Sequence, residues 1–209
     1  MTTVKYEEIL EYNMTKKRIL VLNGHPAESS LSKLFAETYA KAAKAAGNDV
    51  RSVHLSDLDF DADHGFGGYQ THKPLEACLT QFQADLEWSE HIVLTTPMWW
   101  GGLPAKLKGL FDRTLLPGWA FDTRQMKRGM PTPLLTGRTA RVFVTSDTPQ
   151  FFFRLLYRTA LFHQIKGQIF AFVGINPTQI THFSPVGEAD GGKVERWSKK
   201  VACLGKLGQ

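Results

Sequence analysis

Two short stretches carry residue types whose spacing points to chemistry. The first is Gly24-His25-Pro26-Ala27-Glu28-Ser29-Ser30-Leu31-Ser32, between an apolar run and an Ala- and Leu-rich segment. Where a strand passes through such a loop into a helix, unpaired backbone N–H groups and the positive end of the helix dipole favour a phosphate. The hydroxyls of Ser29, Ser30 and Ser32 and the imidazole of His25 can donate to the same anion; a plain helix cap at Ser30 beside a surface His25 accounts for them too. The loop lacks the spacing of a GxGxxG fingerprint and the Walker lysine, which disfavours a dinucleotide-binding Rossmann domain and a P-loop. The second stretch is Thr95-Thr96-Pro97-Met98-Trp99-Trp100-Gly101-Gly102-Leu103-Pro104. Two adjacent tryptophans at the end of a buried strand cannot both enter one core, so at least one is expected to face a cleft. Gly101 and Gly102 permit close backbone approach to a flat ligand, and Pro104 suits the first turn of a helix.

The elements that must position these loops can be read from periodicity. Arg18 to Asn23 is a strand buried on both faces, and Leu31 to Ala46 a helix stopped by Gly47. Asp49 to Leu55 is a second strand; Leu75, Leu79, Phe82 and Leu86 mark a helix; His91 to Thr96 is a third strand. A helix over Leu103 to Leu115, a strand over Arg141 to Thr145, a long apolar helix from Leu155 to Val173 closed by Gly174, a strand over Thr178 to Phe183 and a last helix over Asp190 to Leu204 complete the series. Strands alternating with helices predict an α/β fold, a three-layer α/β/α sandwich around a five-stranded parallel sheet of flavodoxin-like order 2-1-3-4-5. In that order ligands bind outside the carboxyl ends of strands 1 and 3, where the two loops lie. Their amides would then meet the polar edge of an isoalloxazine ring and stabilise negative charge developing there.

At 209 residues the chain suits one domain, expected over 18–209. Residues 1–17 read as a leader, either loosely ordered or an extra helix through Tyr6, Ile9 and Leu10. A 43% apolar and 22% charged composition excludes disorder. There is no signal peptide and no membrane span to be read, and Cys78 and Cys203 stand far apart with no CxxC, so a reducing cytoplasm is the expected location. The net charge of +5 comes from scattered Lys and Arg, which argues against nucleic acid and suits an anionic cofactor. His54, His64, His72, His91, His163 and His182 show no HxxxH or HxH spacing and are expected as surface or capping residues, with no metal. Asp57, Asp59, Asp61 and Asp63 alternate like a calcium loop but lack its glycine and terminal glutamate.

The motifs strand-GHP-x3-S-x-S, PMWWGGLPAKLKGLFDR and PGWAF together resemble the NAD(P)H:quinone oxidoreductase (DT-diaphorase) family of flavodoxin-like proteins, over roughly residues 18–204. The middle motif carries the match through Pro97, Trp100, Gly102, Pro104, Ala105, Leu107, Lys108, Gly109, Asp112 and Arg113. The resemblance implies a flavin, FMN or FAD, held by His25, Ser29, Ser30, Leu31 and Ser32 at its phosphate side. Pro97, Met98, Trp99, Trp100 and Gly101 would border the ring. It implies NADPH or NADH as donor, a quinone or similar small acceptor, and two-electron hydride transfer in ping-pong order. Thr145, Ser146 and Asp147 replace the family's glycine-bearing loop at the flavin edge. Trp119 and Phe121 match the aromatic stretch that lines the acceptor pocket across a homodimer interface, and Phe153 is placed in that pocket. The family's Tyr and His for charge balance have no counterpart in FFFRLLYRT; Tyr157 or Arg158 would have to substitute, with Tyr157 the catalytic candidate. Lys108, Asp112 and Arg113 are expected to orient a helix or a subunit contact. The alternative is a non-catalytic flavin-binding electron carrier or a regulatory subunit of a membrane transporter.

Overall fold

The computed structural model describes residues 16–65 and 72–209; the expected leader, apart from Lys16 and Lys17, lies outside the described residues. β1 (Arg18–Asn23) is buried from its second residue onward, because its Ile, Leu and Val side chains have helices on both sides. It runs through the first loop into α1 (Leu31–Ala45), whose Ser30 cap accepts from the Lys33 amide at 3.0 Å. β2 (Asp49–His54), α2 (Ala77–Trp88), β3 (His91–Pro97) and α3 (Ala105–Thr114) follow. After a hairpin come β6 (Arg138–Thr145), the short α4 (Gln150–Leu155), α5 (Ala160–His163, continuing as a π-helix over Gln164–Ala171), β7 (Ile175–Phe183) and α6 (Gly191–Lys206).

The sheet order is β2-β1-β3-β6-β7 with every pair parallel, so the expected order 2-1-3-4-5 holds for the five parallel strands. Ile19, Val21, Val93 and Phe143 pack with Phe35, Tyr39 and Val201 of α1 and α6 on one face. Leu20, Leu22, Leu94 and Val142 pack with Leu79, Leu110 and Ile165 on the other. Gly205 of α6 lets that helix close on α1: a Cβ there would sit 2.7 Å from the Tyr39 carbonyl oxygen. All of β3 is buried, which sets its carboxyl end, and the tryptophans that follow, at the centre of one rim.

Two elements differ from the sequence reading. The stretch after α3 forms an antiparallel hairpin of β4 (Phe121–Lys127) and β5 (Met130–Pro133), turning through Arg128 and Gly129 at φ 52° and 79°. Its polar, irregular sequence gives no alternation to read. The helix expected over Leu155 to Val173 is broken. The Thr159 amide returns to the Phe153 carbonyl at 3.0 Å, and Arg158 and Thr159 take left-handed φ values of 45° and 52°, which close α4 before α5 begins.

Candidate flavin and acceptor site

The carboxyl ends of β1, β3 and β6 are laced together. The Gly24 amide donates to the Thr95 carbonyl at 2.7 Å and the Met98 amide to the Thr145 carbonyl at 2.8 Å. A Cβ at Gly24 would lie 2.7 Å from Leu107 Cδ2 and 3.1 Å from the Thr95 carbonyl oxygen, so a larger residue at this crossing would displace the buried Leu107 tip. Asn23 and Thr95 are register partners at this point, and Asn23 Nδ2 and Thr95 Oγ1 are both buried without a hydrogen-bond partner. Unsatisfied buried polar atoms are rare enough that a pair at a switch point indicates a polar ligand or ordered water nearby.

His25 is fixed in this frame. The Ala27 amide donates to His25 Nδ1 at 3.0 Å, so the neutral ring carries its proton on Nε2. Burial lowers its pKa from the usual imidazole value, and its ring meets Trp99 edge to face at 5.4 Å. Ser29 is exposed, Ser30 caps α1, and Leu31 packs against the core. Ser32 is buried and lies 3.5 Å, oxygen to oxygen, from Thr145 Oγ1. The amides of Leu31 and Ser32 precede the first intrahelical bond, so they remain available to an anion.

Trp99 and Gly102 exchange backbone hydrogen bonds at 3.0 and 2.9 Å around Trp100 and Gly101, whose φ values are 51° and 76°. This is a two-residue turn with both central residues left-handed, a shape that Asn-Gly adopts readily and a tryptophan only under strain. Trp100 is 106% exposed and Trp99 44% exposed, as expected of a pair that cannot both enter the core.

Trp100 forms one wall of a cavity of about 450 Å³ that is also lined by Met98, Gly101, Thr148, Phe153, Tyr157 and Ala160. Five of these, Met98, Trp100, Gly101, Phe153 and Tyr157, were legible in the sequence. Thr148 and Ala160 were not, because only the break after α4 brings Ala160 to the rim. Pro97 ends β3 fully buried. Thr145 and Ser146 are buried, and Asp147 is exposed and accepts from the Gly187 amide at 2.5 Å. Ser146 Oγ and His182 Nε2 share a hydrogen bond of 2.8 Å.

Two of the histidine expectations need correction. His182 and His91, read as surface or capping residues, are partly and fully withdrawn from solvent. Burial, with the charge of Arg154 nearby, pushes His182 down to about 4, and burial, with Lys17 and Arg141, does the same to His91, which bonds Thr139 Oγ1 at 2.7 Å. Trp119 and Phe121 do not reach the cavity within one copy of the chain. The Trp119 indole N–H donates to Glu87 near the end of α2, at the amino rim of the sheet. Phe121 packs edge to face on Phe172 and lines a separate cavity of about 450 Å³ with Phe111 and Leu115. Lys108 and Asp112 form an exposed pair at 2.6 Å, while Arg113 is buried and clamps Glu76 and the Asp61 and Pro74 carbonyls, so its role lies in the loop before α2. No group of three or more metal-binding side chains occurs among the described residues.

A profile of the flavodoxin-like fold matches residues 17–201. A curated FMN-dependent NADH:quinone oxidoreductase of Exiguobacterium sp. is 32% identical over 146 residues, 61% of this chain and 65% of that protein. An uncharacterized NAD(P)H oxidoreductase of Haemophilus influenzae is 41% identical over 63 residues, 30% of this chain and 27% of that protein. The matched stretches thus span less than two thirds of these relatives. Among solved structures, the NAD(P)H:quinone oxidoreductase of Methanothermobacter marburgensis superposes with a TM-score of 0.76 at 18% identity, covering 93% of this chain and 100% of that one. An FMN-dependent NADH-azoreductase of Bacillus anthracis in complex with FMN gives 0.67 at 20% identity, covering 90% and 97%. At these identities the structures speak for the fold, and with the profile match over most of its length the chain belongs to the flavodoxin-like family, with proteins named as quinone reductases among its relatives.

Proposed function

We propose that the protein is a flavin-dependent NAD(P)H oxidoreductase that reduces quinones or similar small acceptors. The observation that carries this reading is the cradle at the switch point: a helix N-terminus with serine hydroxyls, an oriented imidazole, two unpartnered polar atoms, and a tryptophan turn that meets the imidazole on one side and lines a cavity on the other. The names of the relatives support it. Ser29, the amides of Leu31 and Ser32 and the Nε2–H of His25 hold the phosphate of the flavin, FMN or FAD. The amides of the turn around Trp100 and Gly101 hold the polar edge of its ring. Bound flavin supplies a centre that accepts hydride from NADPH or NADH and returns it to the acceptor.

The remaining work belongs to the chain. Met98, Trp100 and Phe153 wall the cavity with apolar surface, which excludes water and aligns a flat partner. One cavity serves donor and acceptor in turn, which gives a ping-pong order. The Tyr157 hydroxyl is the group at the rim able to hold a proton for the acceptor. Thr145 and Ser146 keep their loop in place through β7, and Asp147 through the Gly187 amide just beyond it. A homodimer is the assembly in which Trp119 and Phe121 would serve an acceptor site, since within one copy they stand apart from it. The free thiols of Cys78 and Cys203 support a reducing, cytoplasmic setting.

The test is an absorption spectrum of the purified, flavin-reconstituted protein, followed by anaerobic addition of NADPH and then NADH. Flavin bands that bleach, and recover when a quinone is added, are expected. A protein that binds no flavin, or binds it and fails to bleach with either donor, overturns the reading.

A further inference from the structure

We propose that the amino rim of the sheet carries an anion site apart from the switch-point loops, in which Arg141, His91 and Lys17 hold a phosphate group. His91 opens β3 and is the register partner of Thr139 in β6. Alternation along a strand puts His91 on the face of Val93 and Arg141 on the face of Phe143, both toward α1 and α6. The two side chains therefore converge under those helices, where they line a cavity of about 220 Å³ with Lys17, Thr139 and Gln179. His91 is 4% and Arg141 7% exposed, yet His91 Nε2 and Arg141 Nε are buried with no hydrogen-bond partner. Thr139 Oγ1 engages His91 Nδ1, and Arg141 Nη2 donates to the Gln179 side-chain oxygen, so both groups are held in place with a nitrogen left over. With the Thr139 hydroxyl donating to Nδ1, the spare Nε2 carries the ring proton.

Charge sets the class of ligand. The side-chain partner of Arg141 is a neutral amide, and Lys17 Nζ donates to the Gly208 carbonyl at 3.0 Å. Among the described residues no carboxylate stands within ion-pair distance of either cation: Asp49 is taken by Lys16 at 2.9 Å and Glu90 by Arg18 at 3.4 Å. The Tyr39 hydroxyl lies near enough to Arg141 for each to feel the other's charge, but burial pushes its pKa up and keeps it neutral. A buried guanidinium without an anion is costly, and ordered water can satisfy an N–H but cannot neutralise a charge. Two fixed positive charges beside an imidazole donor match a dianion, and guanidinium binds phosphate through charge-assisted hydrogen bonds. The cavity takes several groups of the size of water, which is room for a phosphate with or without a short ester chain. This end of β3 is about 20 Å from the tryptophan turn, the length of a seven-residue strand, so the site is independent of the flavin reading.

The experiment is a titration of the full chain, with flavin added, by inorganic phosphate at neutral pH and constant ionic strength, read in the histidine NMR signals. The signal of His91 is the one missing from His91→Gln. It is expected to move and to saturate, whereas phosphate captured by the loop after β1 is too distant to move it. Lys17→Gln, at a half-buried position, removes one charge and should weaken the titration by about tenfold, the size of one charge-assisted hydrogen bond. Arg141→Gln should abolish it, with circular dichroism checking that this variant folds; Lys17→Gln decides if it does not. A parallel titration with glycerol 3-phosphate separates the sources: saturation at lower concentration assigns the site to a phosphate monoester, and equal or weaker binding to free phosphate. A His91 signal that both ligands leave in place, that chloride moves equally, or that titrates unchanged in Lys17→Gln overturns the proposal.

Discussion

Trp100 concentrates the tension between folding and function in one residue. Its left-handed φ of 51° and full exposure both work against stability, since an L side chain in that region costs about 1–2 kcal/mol and the indole buries nothing within the chain. Trp100→Asn keeps the turn and suits it better. We therefore expect the unfolding free energy from urea denaturation to rise by about 1 kcal/mol at unchanged slope, while, on the proposed function, the rate of flavin reduction by the donor falls because a wall of the cavity is gone. A variant that is less stable than the wild type would show that the indole packs on something in solution. The sequence declared this residue: two tryptophans before two glycines at a strand end could not both be core. What it could not declare was which of the two points outward, because that depends on a turn closed by Trp99 and Gly102.

At the scale of elements, the link between α3 and the loop before α2 is the sharpest case. Arg113 sits at the buried end of α3 and spends its donors on the Glu76 carboxylate and on the carbonyls of Asp61 and Pro74. Gly109 on the same helix lets Ala62 approach to where a Cβ would be only 2.6 Å away. Arg113→Leu leaves two carbonyls without a donor and the Glu76 carboxylate without its cation, which should cost about 2–4 kcal/mol in chemical denaturation. Flavin affinity should change little, since this contact lies away from the switch-point loops. Periodicity marked α2 and α3 correctly but said nothing of what joins them, since an arginine near a helix end reads equally as surface. The break between α4 and α5 was invisible for a similar reason: the apolar pattern continues across it, and only the backbone at Arg158 and Thr159 interrupts the helix.

For the whole molecule, two imidazoles couple stability to pH. His91, at the amino rim of β3, and His182, near the carboxyl end of β7, both have pKa values of about 4 in the fold, against an ordinary 6.5. The fold disfavours the charged ring, so as pH falls through 6.5 the unfolded chain takes up protons first. The contribution is therefore present in full above 6.5 and is lost between 6.5 and 4. For the deeply buried His91 it amounts to on the order of 3 kcal/mol at most; His182, less enclosed, adds less. Denaturation curves at neutral pH and at mildly acid pH should show this loss, and His91→Gln should flatten it. A stability that holds level over that range would place both rings in solvent.

The sequence by itself determined the layer order, the five parallel strands, the two loops at the switch point and most of the residues that meet there. Each of these follows from local pattern: short continuous apolar runs for the strands, period-3.6 burial for the helices, glycine and proline punctuation, and the right-handed crossover that follows each strand. The tertiary structure alone decided how far those residues act together. It set Trp119 and Phe121 apart from the cavity within one copy, withdrew two histidines that sequence had left at the surface, added a hairpin with no periodicity of its own, and turned one apolar segment into a buried Phe153 flanked by an exposed rim. Sequence specifies which side chains prefer to leave water, whereas which of them succeed depends on neighbours distant in the chain.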